Sequence, residues 1–263
     1  MPASLQHRIN AGRVAVNNQL EFFGRQFGAV ASDWKDDDTR VTFADFAITE
    51  RIFAELRRSF PQDVYCSEES NPEDESYELP PRGFAWILDP VDGTNNFAMG
   101  IPLCAISLAL LQGGIPVYGF IYDYGRRVLL EGGPGFPLLE NRRKLLLKPE
   151  QRPHTYIGFD FPLPPEWLTR LAPLLSIHRV RVFGSSAVVC AHTTIGLLDG
   201  LVDFRVKIWD IAAGCALIQA AGGEFHFFGD DLFPLQQFDV RMPAAPCFAG
   251  PSAFCREVKA LLI

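Results

Sequence analysis

Residues 86–97 read WILDPVDGTNNF. An apolar run ends at Leu88 and gives way to two acids, Asp89 and Asp92, set among proline, glycine, threonine and asparagine. By itself the segment is a turn: Pro90 presets φ, Gly93 tolerates positive φ, and Asp and Asn side chains bond nearby backbone. The same spacing also lets a tight turn aim both acids at one point with a backbone carbonyl between them, which is the oxygen supply a hard cation such as Mg²⁺ takes. Two or three carboxylates around one cavity repel one another unless cations neutralise them. With no Lys or Arg in the stretch, metal is the natural partner. The choice between turn and site depends on other acids that need the same place.

Such acids stand where strands end or helices begin. Residues 5 to about 30 carry apolar side chains at helical spacing (Ile9, Val16, Leu20, Phe23, Phe27), which predicts one amphipathic opening helix. After the acidic loop DWKDDDTR, the segment VTFADFAITERIFAELRRSFP offers a capping box, Thr42 with Asp45, and a buried stripe of Phe46, Phe53 and Leu56. DVYC is a short strand running into SEES (67–70), and NPEDESYELPPRG is a surface excursion. FAWIL then delivers Asp89, and successive apolar runs joined at Gly113-Gly114 and Gly125 predict an antiparallel meander under helices. Basic, proline-closed NRRKLLLKPEQRPH marks a boundary. Beyond it strands and helices alternate as in an α/β layer, the last helix starting at Asp210. The expected division is an α+β metal-binding sub-domain over 1–145 and an α/β sub-domain over 146–263. Each acid also has a plain structural reading: Asp45 as a capping acid, Glu68 and Glu69 as a solvated pair, Asp210 as a first-turn acid favoured by the helix dipole.

Charge and composition narrow the function. A net charge of −7 opposes binding to nucleic acid or anionic lipid, so neither is an expected partner. No run of eighteen apolar residues is present, the N-terminal MPASLQHRINAGR lacks an apolar h-region, and six cysteines without a C-x-x-C pair read as buried hydrophobes, so a reducing, cytoplasmic setting is expected. The five histidines show no ligand spacing, against a zinc site. No G-x-S-x-G elbow supports a covalent serine hydrolase.

WILDPVDGTNNF resembles the D-P-x-D-G-T-x-N-F signature of the inositol monophosphatase family, and WDIAAG (209–214) resembles its W-D-x-A-A-G signature. SEES and VTFAD are similar to that family's other two acidic blocks, and all four stand in family order across residues 5 to 260. Their joint occurrence overrides the turn reading. The resemblance implies a layered αβαβα sandwich, α+β passing into α/β, of the sugar-phosphatase type. It implies two to three Mg²⁺ ions: Glu68, Asp89 and the Val91 carbonyl for one, Asp89, Asp92 and Asp210 for a second, and Glu68 with water for a weaker third. It further implies that Thr94 orients a water with Asp45 bonded to the Thr94 hydroxyl from behind, making Glu68, Thr94 and Asp45 the catalytic set. Lys35 falls near the family's loop lysine, although KDDDTR is shorter and more acidic than the family loop.

For substrate, the resemblance implies contacts from Asp92, Gly93, Thr94, Gly184, Ser185, Ser186, Asp203 and Asp210. Asp203 stands where a glutamate is usual in inositol-phosphate enzymes, and Arg205 either greets a second anionic group or faces solvent. The expected substrate is a small phosphorylated polyol or sugar, with inositol monophosphate first. Fructose-1,6-bisphosphatase, histidinol-phosphatase and 3′-phosphoadenosine 5′-phosphate phosphatase activities are alternatives, Asn95-Asn96 arguing against the last. Lithium inhibition and a homodimer are implied as well. A reading of another class keeps the fold as a protein-partner module with a vestigial site, using aromatics of FFGRQF and FDFPLPP.

Overall fold

The structure is a computed structural model that describes residues 4–34, 40–70, 76–147, 153–163 and 165–262. Lys35 and its acidic neighbours lie outside the described residues. In chain order the first half contains α1 (Leu5–Asn17), α2 (Leu20–Gln26), β1 (Ser32–Trp34), β2 (Arg40–Thr42), α3 (Phe43–Ser59), β3 (Val64–Ser67), β4 (Tyr77–Glu78), β5 (Phe84–Asp92) and α4 (Thr94–Met99). The meander follows as β6 (Ala105–Gln112), β7 (Ile115–Asp123), β8 (Val128–Gly132), β9 (Leu139–Glu140) and β10 (Arg143–Lys144). The second half contains β11 (Tyr156–Phe159), α5 (Pro165–Ile177), β12 (Arg179–Arg181), α6 (Ser186–Thr194), β13 (Gly200–Asp203), α7 (Ile208–Ala220), β14 (Glu224–Phe227), β15 (Gln237–Phe238), β16 (Cys247–Gly250) and α8 (Ser252–Leu262).

These elements form five layers. The order β10-β9-β8-β7-β6-β5-β3 makes a seven-stranded sheet, antiparallel except where β3 runs parallel to β5. Its strands are apolar on both faces because both are covered. Trp86 and Leu88 of β5 pack under α1 and α3, while Ala85 and Ile87 face α6 and α7, as the period of two requires. The other side of the α6–α7 layer carries the five-stranded sheet β12-β11-β13-β16-β14 through Leu201, Cys247 and Ala249. The outer face of that sheet, with Ile157, Val202 and Phe248, is closed by α5 and α8. The expected boundary falls between β10 and β11, yet one apolar cluster contains side chains from both halves, and β15 pairs with β4 across them.

Several expectations are corrected. The opening helix is two helices, interrupted at Asn18 and Gln19, where the Asn17 side chain donates to the Arg13 carbonyl and competes for a helix acceptor. Phe46 is 51% exposed, and the buried face of α3 is built on Ala44, Ile48, Ile52 and Leu56 with Phe53 beside it. Phe22 and Phe23 of FFGRQF are core residues, Phe23 packing on Phe97, Tyr122 and Tyr124, so they offer nothing to a partner. All six cysteines are free and buried.

Candidate active site

The site forms where β5 leaves the sheet. In a regular strand, residues three apart point to opposite faces. Here Asp89 pairs with Ser107 and Asp92 with Ala105, three steps along β5 against two along β6, so β5 carries one extra residue. That bulge turns Asp92 back toward the side Asp89 faces. Gly93 then takes φ of +80°, and a Cβ there would stand 2.8 Å from the Leu103 carbonyl oxygen, so glycine is required before α4 begins at Thr94.

Each acid is held by one of its oxygens. Asp89 Oδ1 accepts from the Val91 amide at 3.1 Å. Asp92 Oδ2 accepts from the Ala187 amide at 2.7 Å and from the Ser185 hydroxyl. Asp210, third residue of α7, accepts at Oδ2 from the Lys207 amide at 2.6 Å. Asp45, third residue of α3, accepts at Oδ2 from both the amide and the hydroxyl of Thr42, at 2.7 and 2.6 Å. The capping reading of Asp45 and the first-turn reading of Asp210 therefore hold alongside any second role: in each, one oxygen closes the helix end and fixes the direction of the carboxylate.

Carboxylate oxygens of Asp89, Asp92 and Asp210 lie within 4.8 Å of one another. These three and Glu68 line a cleft of about 170 Å³ with Val91, Gly93, Thr94, Asn95 and Gly184. Burial, then the neighbouring carboxylates, raise Asp89 and Asp210 well above the usual carboxylate range. Burial pushes Asp92 up to about 7 against the opposing bonds from Ser185 and Ala187. Asp45 is likewise pushed up to about 7 by burial, and its Oδ1 is buried without a hydrogen-bond partner. Acids packed this closely, with oxygens directed into one cleft, fit a hard-cation site and are costly without one.

A family model described as inositol monophosphatase family matches residues 5–151 and 154–249. The chain belongs to the inositol monophosphatase family. An inositol-1-monophosphatase of Mesorhizobium japonicum is 34% identical over 211 residues, 76% of this chain and 77% of that one. A protein of Aquifex aeolicus named fructose-1,6-bisphosphatase/inositol-1-monophosphatase is 26% identical over 243 residues, 86% of this chain and 88% of that one. Among solved structures, the extragenic suppressor protein suhB of Bartonella henselae superposes with a TM-score of 0.80 at 26% identity, over 97% of each chain. The inositol monophosphatase family consists of phosphomonoester hydrolases, generally metal-dependent, and this chain is an enzyme of that class.

Within this family member the residues beyond the acids sort differently from the sequence reading. The Thr94 hydroxyl donates to the Val91 carbonyl at 2.8 Å, and Asp45 is bonded to Thr42, so the expected Asp45–Thr94 bond is not made. Gly184 lines the cleft, while the Ser185 hydroxyl serves Asp92 and that of Ser186 donates to Asp203 Oδ2 at 3.1 Å. Asp203 is buried, accepts from the Arg205 amide at 2.9 Å, and is pushed up to about 6 by burial. Arg205 is exposed, donates to the Phe161 carbonyl at 3.2 Å, and lines a different cavity with Pro162, Trp167 and Pro246. Asn96 ties α4 to the Leu103 and Phe183 carbonyls, a structural role.

Sequence reasoning missed two groupings. Arg40 lines the acid cleft, although the stretch around Asp89 holds no cation. Glu224, His226 and Cys255 also come within 4.8 Å of one another. There Lys259 Nζ stands 3.2 Å from His226 Nε2, so an ammonium already serves that group. Sequence distance hides both. Among the described residues no helix is long and apolar enough to cross a membrane.

Proposed function

We propose that the chain hydrolyses a small phosphate monoester, an inositol monophosphate or a similar polyol or sugar phosphate, with Mg²⁺ as its metal. The observation that carries the reading is the convergence of Asp89, Asp92 and Asp210 on one cleft that Glu68 also lines. Glu68, Asp89 and the Val91 carbonyl would hold one ion, Asp89, Asp92 and Asp210 a second, and Glu68 a weaker third. When bound, the ions supply an acidified water and positive charge for the phosphoryl oxygens.

The chain's own residues do the positioning. The Thr94 hydroxyl spends its proton on Val91, so its oxygen is left to accept, which suits it to orient a water. Ser185 and the Ala187 amide fix Asp92, and the Lys207 amide fixes Asp210, so neither carboxylate has to be ordered when substrate arrives. Gly184, which lines the cleft, and the bonded pair Ser186–Asp203 are assigned to reading the leaving-group hydroxyls. Cytoplasmic location, a homodimer and lithium sensitivity belong to the same proposal.

The test is phosphate release from a panel of inositol, glycerol, fructose, histidinol and nucleoside phosphates, with Mg²⁺ and with chelator, beside a Glu68→Gln control. Mg²⁺-dependent release favouring a polyol monophosphate is expected. Release no greater than that of Glu68→Gln on every ester sinks the enzymatic reading and leaves the protein-partner module. Asp203→Glu should re-rank the panel by about 1 to 3 kcal/mol while sparing a small featureless ester.

A further inference from the structure

Among the described residues that line the cleft, Arg40 is the one cation, and the metal ligation does not use it. We propose that its guanidinium binds the phosphoryl group of the substrate, an inference that rests on the phosphomonoesterase reading. Every other ionisable side chain lining the cleft among the described residues is an acid: Glu68, Asp89, Asp92 and Asp210. A dianionic ester entering that wall meets whatever negative charge the ions leave uncompensated. A guanidinium there brings positive charge and a planar fork that matches two phosphoryl oxygens.

The fold holds Arg40 in the frame that holds the acids. It is the first residue of β2 and pairs with Trp34 of β1, while Thr42 at the end of the same strand caps α3 and anchors Asp45. β2 also packs beside α4, whose first residue is Thr94. Arg40 Nη1 donates to the Ser32 hydroxyl at 2.6 Å, and the ladder sets Ser32 opposite Thr42, so the direction of the guanidinium is fixed from the strand next door.

Arg40 lines the same cleft of about 170 Å³ as the acids, so the group it meets is the phosphoryl group that the ions would hold. Arg205, the cation the sequence offered for a second anionic group, lines another cavity.

The experiment measures binding of inorganic phosphate by calorimetry in saturating Mg²⁺, together with KM and kcat for a polyol monophosphate and the Mg²⁺ concentration for half-activation. The proteins are wild type, Arg40→Met, Arg40→Gln and Arg40→Lys, each checked by thermal unfolding. Both neutral variants should bind phosphate roughly tenfold more weakly and raise KM by a similar factor, with kcat changed less. Arg40→Lys should recover part of the loss. The Mg²⁺ requirement should stay level or fall, because removing a cation eases ion entry. Phosphate affinity and KM within twofold of wild type overturn the proposal, as does a raised Mg²⁺ requirement at unchanged phosphate affinity, which makes Arg40 a support for the acids alone. Wild type without Mg²⁺-dependent hydrolysis fails the phosphomonoesterase reading itself and takes the proposal with it; an active wild type with indifferent Arg40 variants fails the proposal alone.

Discussion

Asp45, Asp89, Asp92 and Asp210 each commit one carboxylate oxygen to the fold. One oxygen of Asp45 and one of Asp210 closes a helix, and one of Asp92 is tied to Ser185 and Ala187. Removing the hydroxyl with Ser185→Ala should leave the fold in place yet weaken metal affinity or turnover by roughly 10- to 100-fold, read by Mg²⁺ titration of activity. The raised acids make a second prediction. Asp45 and Asp92 rise from 3.8 to about 7 in the metal-free fold, so between those values the folded chain binds more protons than the unfolded one. Their contribution to stability is complete below about pH 4 and is lost as pH rises through about 7. In chelator, the unfolding temperature of wild type should fall between pH 5 and pH 8 more than that of Asp92→Asn, and Mg²⁺ should restore more at pH 8 than at pH 5. A wild type that parallels Asp92→Asn at both pH values contradicts the electrostatic account of the cleft. The acids were legible as residues because the blocks that carry them are local in sequence. Arg40 was not, since a lone cation beside an acidic loop reads as solvated until β2 is packed against α4.

At the scale of elements, the bulge in β5 and the placement of α7 decide the geometry. α7 runs between the two sheets, and its backbone comes so near β7 that a Cβ on Gly119 would lie 2.3 Å from the Ala213 carbonyl oxygen. Backbone there has no rotamer to yield. Gly119→Ala should therefore cost about 1 to 3 kcal/mol, and thermal unfolding should drop by roughly 2 to 4 °C for each kcal/mol. Turnover should fall as well, because α7 carries Asp210; an unchanged midpoint would mean that α7 moves off β7 freely. The meander from β5 to β8 and the alternation of the second half were visible as period and punctuation. The break after α1 was masked because Ile9, Val16 and Phe23 bury on the same core whether one helix or two carry them. β14, β15 and β16 escaped the reading because β14–β16 and β4–β15 are pairs between runs of two to four residues far apart in sequence, which no local pattern announces.

The whole molecule joins acids from four places in the chain at the junction of its layers. Asp89 and Asp92 come from β5 of the seven-stranded sheet, Glu68 follows β3 of the same sheet, Asp210 comes from the helical layer, and Asp45 from the outer helix α3. With a net charge of −7 the protein has no general attraction for an anionic ester, so affinity must be local to the cleft. Ca²⁺ is larger and accepts irregular coordination, so it should compete for the same oxygens without fixing a reactive geometry. Inhibition by Ca²⁺ at fixed Mg²⁺ is expected in the phosphate-release assay, and stimulation would count against the cation assignment. The most direct measurement compares Mg²⁺-dependent turnover of Asp89→Asn with wild type on the best monoester, alongside thermal unfolding in chelator. Asp89 is assigned to two ions, so its loss should lower turnover by about a thousandfold, about 4 kcal/mol, while the metal-free variant unfolds at the same or a higher temperature than wild type. Retention of more than a tenth of wild-type turnover by a folded Asp89→Asn would contradict the account.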